Sequence, residues 1–499
     1  MINSQHLFFT NKFLQKNFSL ISISIIFLIY FTLSFSAINE KQMVYGDMHN
    51  LYISQRLDDG LKLYEDINPL YGPILYYVGS TLIAFGLDYS LIKFFMLCIS
   101  MSTGILVFLI TKKISFDDYT AILATAIFMF LPIHYGIAPI FHSTQITVFL
   151  VLLAFYSLLF SKNHSLVIAA IFSTLAIFTK IPAVPFVIAT LSYFLLRKNK
   201  QSLYFLIPLG IFSILGFSLI EKIKSNTESS QFLYNLLISK IELPFFLLRD
   251  FFWIEGLVFF ISVIGMIIYF KSNKNILFLM ITIGSFVSFS VIIFEGIGIY
   301  ESNYFEPFLA IFASIAILHM KRNYNSNIFY KSIPIFLLIL IFVQATIFIS
   351  PDRERIADWD GNRWANELNV VADTHSIIIK NFSDKGDIVV TSPMAAYRTE
   401  RILPLDLTYT ELLLEKFNLG YPSAETDVKK LKTMLNKNEI ALLITFNSTV
   451  NTNEKFDWLQ EQRFFPFYND DFLDILNTNY EKNEFEGFYY YLPKNKTFP

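Results

Sequence analysis

Apolar residues fall along this chain in long unbroken runs, separated by shorter stretches where the charges collect. Residues 18–38 form a run of about 20 residues, enough to cross ~30 Å of hydrocarbon at 1.5 Å per residue. Lys12 and Lys16 precede it and no small-residue cleavage site follows, so it reads as a retained anchor rather than a signal peptide. Two more runs, 70–87 and 91–110, end in Lys112-Lys113. Two full spans there would set Lys112-Lys113 opposite Lys12 and Lys16, whereas one span preceded by a surface-lying helix keeps all four lysines on one side. The positive-inside rule favours the second arrangement. Residues 119–160 are too long for one crossing and are broken by Pro132, His134 and Pro139, which predicts two spans meeting at the outer face. Residues 165–196 would reach about 48 Å as one helix. Lys180 and Pro182 at their middle predict a break into two short spans. Runs at 203–220, 254–270, 276–294, 304–319 and 329–349 bring the total to about eleven.

With that count, the basic clusters Arg197-Lys198-Lys200, Lys271 with Lys274, and Lys321-Arg322 share the side of Lys12 and Lys16. The loops 39–88 and 221–253, the turn 295–303 and everything after Ser350 then lie outside the cytoplasm. From Pro351 the pattern becomes mixed polar and charged for about one small domain's length. Helical periodicity covers 364–382, strand-length apolar runs cover 387–391 and 440–446, a Lys-rich amphipathic helix covers 426–436, and 487–492 alternates as a final strand. The expected fold is an all-α polytopic transmembrane bundle at 1–349, with a first extracytoplasmic loop at 39–88. A C-terminal extracytoplasmic α/β domain follows at 350–499, and it carries no G-x-G-x-x-G or P-loop pattern for a nucleotide.

Composition agrees with the pattern: 499 residues that are 54% hydrophobic and 16% charged describe a membrane protein. Lys+Arg 39 and Asp+Glu 41 nearly cancel, so net charge settles nothing, and no nucleic acid partner is expected. The single cysteine, Cys98, lies in an apolar run and excludes both an intramolecular disulfide and a cysteine-based metal site. The abundance of Phe, Ile, Asn and Lys fits an AT-rich genome and points to the cytoplasmic (inner) membrane of a bacterium.

The first loop holds the densest motif. Gly46-Asp47, Leu51-Tyr52-Ile53-Ser54-Gln55-Arg56-Leu57, Gly60, Leu63-Tyr64-Glu65-Asp66 and Tyr71-Gly72-Pro73-Ile74-Leu75-Tyr76-Tyr77 resemble the first extracytoplasmic loop of the GT-C glycosyltransferases. The nearest branch is the protein O-mannosyltransferase and lipid A aminoarabinose transferase type. Weaker likeness continues around Thr179-Lys180, in Asn303-Tyr304-Phe305-Glu306-Pro307 and over 387–401, so it covers most of the chain. The resemblance implies sugar transfer from a polyprenyl-phosphate carrier to an acceptor hydroxyl of a lipid, glycan or protein. It implies inversion at the outer membrane face, and it maps the family's first-loop Asp onto Asp47. Many members follow that Asp with Glu, where this chain has Met48 and His49; Asp58, Asp59, Glu65 and Asp66 are the nearest other carboxylates.

Such a transfer needs a base for the acceptor proton and positive charge for the departing phosphate. Asp47 is the candidate base, and its bland reading is a helix N-cap. Lys180 is the first candidate for the phosphate, against simple snorkelling to the interface. Arg249 is the second, against an interfacial anchor paired with Asp250. His49, Asp66, Tyr71, His142, Glu301 and Glu306 are candidates for substrate contacts. Glu306 also suits a helix start, and the loop tyrosines suit an aromatic belt. His134 and His142 are too far apart in sequence to read as a metal site, so no metal ligand set is assigned, no cofactor is implied, and a divalent metal stays open. The alternative from another class is a transporter or flippase of lipid-linked glycans or small solutes, which internal repeats and broken helices near the midplane would mark. Neither pattern stands out here.

Overall fold

The computed structural model describes residues 4–39, 45–63, 67, 69, 71–160, 162–197, 200–223, 245–272, 275–295, 299–323, 335–341, 343, 362–391, 393–403, 422–446, 470–485 and 488–494. The chain is mostly helical. In order, the helices are α1 (Ser4–Asn39), α2 (Tyr45–Asp58), α3 (Pro73–Ala84), α4 (Tyr89–Ser115), α5 (Asp118–Met129), α6 (Pro132–Ile137), α7 (Ser143–Leu158), α8 (Asn163–Thr179), α9 (Val184–Arg197) and α10 (Leu203–Ile223). They continue with α11 (Phe245–Ser272), α12 (Ile276–Glu295), α13 (Glu306–Asn323), α14 (Asn362–Phe382), α15 (Pro393–Thr399), α16 (Pro422–Asn436) and α17 (Asp470–Asn479). The strands are β1 (Val389–Val390), β2 (Leu442–Phe446), β3 (Tyr480–Phe485) and β4 (Phe488–Pro493). Residues pack into two compact units: 1–41, 71–75 and 87–360 in the first, and 42–70, 76–86 and 361–499 in the second.

In the first unit, Asn17–Phe35, Tyr89–Ser115 and Phe251–Lys271 are the described helical stretches long and apolar enough to cross a membrane, and shorter apolar helices accompany them. The helices stop where local chemistry tells them to. Asp88 caps α4 by accepting the Leu91 N–H at 2.9 Å, and Asp117 caps α5 by accepting the Thr120 N–H at 2.9 Å. Helix α8 ends at Thr179 because Pro182 lacks an N–H and its ring excludes the carbonyl of Phe178 in helical geometry. A 3-10 turn, Ile181–Ala183, then leads into α9, so the predicted break falls at Lys180 and Pro182. Helix α3 is one of the shorter apolar helices, 12 residues long.

Small residues let the long helices touch. A Cβ on Gly265 of α11 would overlap the Phe312 carbonyl of α13, and Ser262 donates to the Leu309 carbonyl at 2.6 Å. At one end of this unit, Arg322 pairs with Asp117 at 3.0 Å and Lys112 with Asp118 at 3.0 Å, while Ser19 donates to Asp118. The charged ends of α4 and α13 therefore meet beside the start of α5, which matches the grouping of Lys112 with Lys321-Arg322. Burial works to raise the Asp117 carboxyl, but the Thr120 hydrogen bonds and the Arg322 guanidinium hold it below its ordinary value.

The second unit combines the first-loop helix α2 with the C-terminal segment. Its sheet runs β1-β2-β4-β3, with β1 parallel to β2 and both β2–β4 and β3–β4 antiparallel. Val390, Leu443 and Tyr491 from the sheet meet Val428, Leu431 and Leu435 of α16 and Leu476 of α17 in one apolar core. The expected helix at 364–382 and the strands near 440–446 and 487–492 are present. The strand expected at 387–391 is pared to its two central valines. Strand β3 was not expected, because Tyr480-Glu481-Lys482-Asn483-Glu484-Phe485 is a polar edge strand with no apolar run to announce it.

Candidate active site

Lys180 and Tyr71 come together in the first unit through the break in α8. Pro182 supplies no N–H to Phe178, and the Ala183 N–H turns to Lys180 instead, at 3.2 Å, leaving the last α8 carbonyls for another segment. Gly72 takes that place. Its N–H donates to the Thr179 carbonyl at 3.2 Å, and a Cβ there would overlap the Phe178 carbonyl oxygen. Pro73 then opens α3, where its fixed φ suits a first helical position. The Tyr71-Gly72-Pro73 sequence is thus read by the backbone of α8 itself.

This docking sets the Tyr71 ring 4.9 Å from Lys180 Nζ, centre to nitrogen. Lys180 also donates to Thr144 Oγ1 at 3.1 Å, and the lysine is buried. A hydroxyl and a ring face both ease the desolvation of an ammonium. His142 completes the group. It caps α7 by accepting the Thr144 N–H on Nδ1 at 3.3 Å, so Nδ1 carries no proton in the neutral ring. The proton sits on Nε2, which donates to the Tyr71 hydroxyl at 3.2 Å. Three candidates scattered over the sequence therefore form one group, a desolvated cation edged by a phenol and an imidazole, and this suits an anionic oxygen.

A second polar group lies in the same unit. The Asn303 side-chain oxygen accepts from His134 Nδ1 at 3.3 Å, so His134 Nε2 accepts from Ser100 at 2.8 Å and Ser100 accepts from the Tyr30 hydroxyl at 2.8 Å. This directed chain ties α1, α4 and α6 to the Asn303-Tyr304-Phe305-Glu306 segment. Glu306 accepts from Ser302 at 2.9 Å and is fully buried, as is Glu255 on α11. Glu255 faces Glu306 and the Ile133 backbone, so the two carboxyl groups share one buried place.

Asp47 is the third residue of α2, within its first turn. His49 follows on the same helix and is buried. Arg249 lies on α11, which begins at Phe245 well before its apolar run, and Glu301 lies in the 3-10 turn Ile299–Tyr304. Asp66 lies outside the described residues. Asp59 is exposed and paired with Arg56 at 2.7 Å, an ordinary surface contact within a helix end. Thr144 and Glu255 were not anticipated. Glu255 was legible as an acid inside an apolar run. Among the described residues no group of three His, Cys, Asp or Glu is placed to hold a metal ion.

No family profile and no curated protein matches the chain. Solved structures do, and the likeness is one of fold. One is the oligosaccharyltransferase AglB from Archaeoglobus fulgidus, in complex with an inhibitory peptide and a dolichol-phosphate. It matches with a TM-score of 0.57 and 11% identity over 97% of this chain and 75% of that one. Another is ArnT from Cupriavidus metallidurans bound to undecaprenyl phosphate, with a TM-score of 0.58 and 10% identity over 94% of this chain and 97% of that one. The same ArnT in its apo state gives 0.55 and 11% over 90% and 95%.

Proposed function

We propose that the protein is a membrane glycosyltransferase that moves a sugar from a polyprenyl-phosphate carrier to an acceptor hydroxyl, with inversion. The observation that carries this reading is the Tyr71–His142–Thr144–Lys180 group, a buried cation beside a phenol and an imidazole, within a fold shared with proteins solved with dolichol-phosphate and undecaprenyl phosphate.

In this scheme the acceptor oxygen attacks the anomeric carbon from the face opposite the phosphate, and its proton passes to the Asp47 carboxylate. The bond from the anomeric carbon to the phosphate oxygen breaks, and the electron pair leaves with the polyprenyl phosphate. Lys180 stabilises the charge that grows there, and Arg249 is a second cation for the same phosphate. One base suffices for an inverting transfer, so Met48 and His49 after Asp47 are compatible with it. His49, Asp66, Tyr71, His142, Glu301 and Glu306 are proposed substrate contacts, and no cofactor is written into the scheme. About eleven spans would place this chemistry at the outer face of a bacterial inner membrane, with the C-terminal segment extracytoplasmic.

The reading is tested by giving membranes that contain the protein a polyprenyl-phosphate carrier bearing a labelled sugar. Label should move to a non-carrier product only when Lys180 is intact. Transfer that is indifferent to Lys180→Ala would remove this group from the reaction.

A further inference from the structure

The C-terminal segment holds the first-loop helix by a specific bond. Helix α2 is buried at every residue from His49 to Ser54, more than one full turn, so over that turn it offers no face to solvent. Tyr52 is fully buried within it, and a phenol in such a place needs a partner. Its hydroxyl oxygen accepts the Leu403 N–H at 2.7 Å.

What aims that N–H is a short chain of contacts in the C-terminal segment. The Arg401 guanidinium donates to the Ser383 carbonyl at 2.6 Å, to the Ser383 hydroxyl at 3.0 Å and to the Thr399 carbonyl. Ile402 is thereby laid parallel to the residues at β1: its N–H donates to Asp387 at 3.0 Å and its carbonyl accepts the Val389 N–H at 2.8 Å. Neighbouring amides of an extended segment point to opposite sides, so the next N–H, that of Leu403, faces away from β1 and meets Tyr52. Helices α14 and α15 pack against the same helix α2.

We propose that residues 383–403 are a positioning device for α2, and that Tyr52 is the positioning residue that sets the register of the helix bearing Asp47. Asp47 lies five residues before Tyr52, about 7.5 Å along the helix axis. A shift of one residue in this contact would rotate Asp47 by roughly 100° about that axis. The inference rests on the proposed role of Asp47 as base, and it gives the C-terminal segment a part in the reaction without any substrate contact of its own.

The test uses the full chain in lipid nanodiscs and compares wild type with Tyr52→Phe, which keeps the ring and removes only the bonding oxygen. Hydrogen–deuterium exchange should quicken about threefold to tenfold at 401–403 and also across α2 at 45–58, because one net hydrogen bond links the two. The donor KM should stay unchanged while kcat falls, and Tyr52→His, which restores a polar atom, should recover part of both effects. Exchange that quickens at 401–403 alone overturns the proposal, and so does a loosened α2 with unchanged kcat. A wild type that transfers no sugar from any polyprenyl-phosphate carrier would instead defeat the transferase reading, with the exchange result still deciding whether Tyr52 holds α2.

Discussion

The Gly72 N–H donates to the Thr179 carbonyl across a gap that leaves no room for a side chain at residue 72. Replacing Gly72 with Ala forces a methyl group into the Phe178 carbonyl and must push Tyr71 away from Lys180. Steric insertion of this kind costs about 1–3 kcal/mol. Gly72→Ala should lower the melting temperature modestly and abolish most undecaprenyl phosphate binding, both measured on purified protein. Unchanged phosphate binding would show that Tyr71 and Lys180 work independently.

Lys180 should matter more for the donor than for the acceptor. A hydrogen bond to a charged group contributes about 1.5–3 kcal/mol, so Lys180→Ala should weaken undecaprenyl phosphate binding about tenfold to a hundredfold. Lys180→Arg should recover only part of this, because a planar fork does not fit the place of a compact ammonium between Thr144 and Tyr71. Titration of each variant with the lipid measures it.

The break at Lys180 was legible because proline acts on the chain locally, and the carboxyl-capped starts of α4 and α5 are local in the same way. The gathering of Tyr71, His142 and Lys180 was not legible, although each residue stood out alone. Their meeting depends on Gly72 reaching the end of α8, a contact between distant segments. Thr144 went unnoticed because a hydroxyl at a helix start has an ordinary explanation. The packing of α2 with residues 361–499 was likewise hidden, since Tyr52 reads as one more loop tyrosine until Leu403 is seen beside it.

His375 predicts how the second unit responds to acid. Burial pulls this histidine down to about 3, and its Nδ1 lies 2.9 Å from the Thr391 hydroxyl. The unfolded chain, with an ordinary histidine near pH ~6.5, takes up the proton first, so the contribution to stability is full above that pH and is lost as pH falls toward 3. The melting temperature should fall between pH 7 and 5, and less steeply in His375→Gln. Equal slopes would assign the acid sensitivity to other groups.

The sidedness of the chain is an expectation of the positive-inside rule. Reporter fusions after Lys200 and after Ile349 should report opposite compartments, cytoplasmic and extracytoplasmic in that order. The same compartment for both would mean that the chain does not cross twice at Lys180 or that a later span is miscounted.

Asp47 carries the central claim, and Asp47→Asn examines it with little change in size. Loss of a placed base should reduce turnover about 10²–10⁴-fold while folded protein stays at wild-type abundance. The direct measurement is a mass-spectrometric comparison of envelope glycans, glycolipids and glycoproteins from cells that carry the wild type, the Asp47→Asn variant or neither. A glycan present with the wild type and missing in the other two, at equal abundance of the two proteins, is the predicted result. The same glycans with Asp47→Asn as with the wild type would contradict the account, because the transfer would then have no base at Asp47.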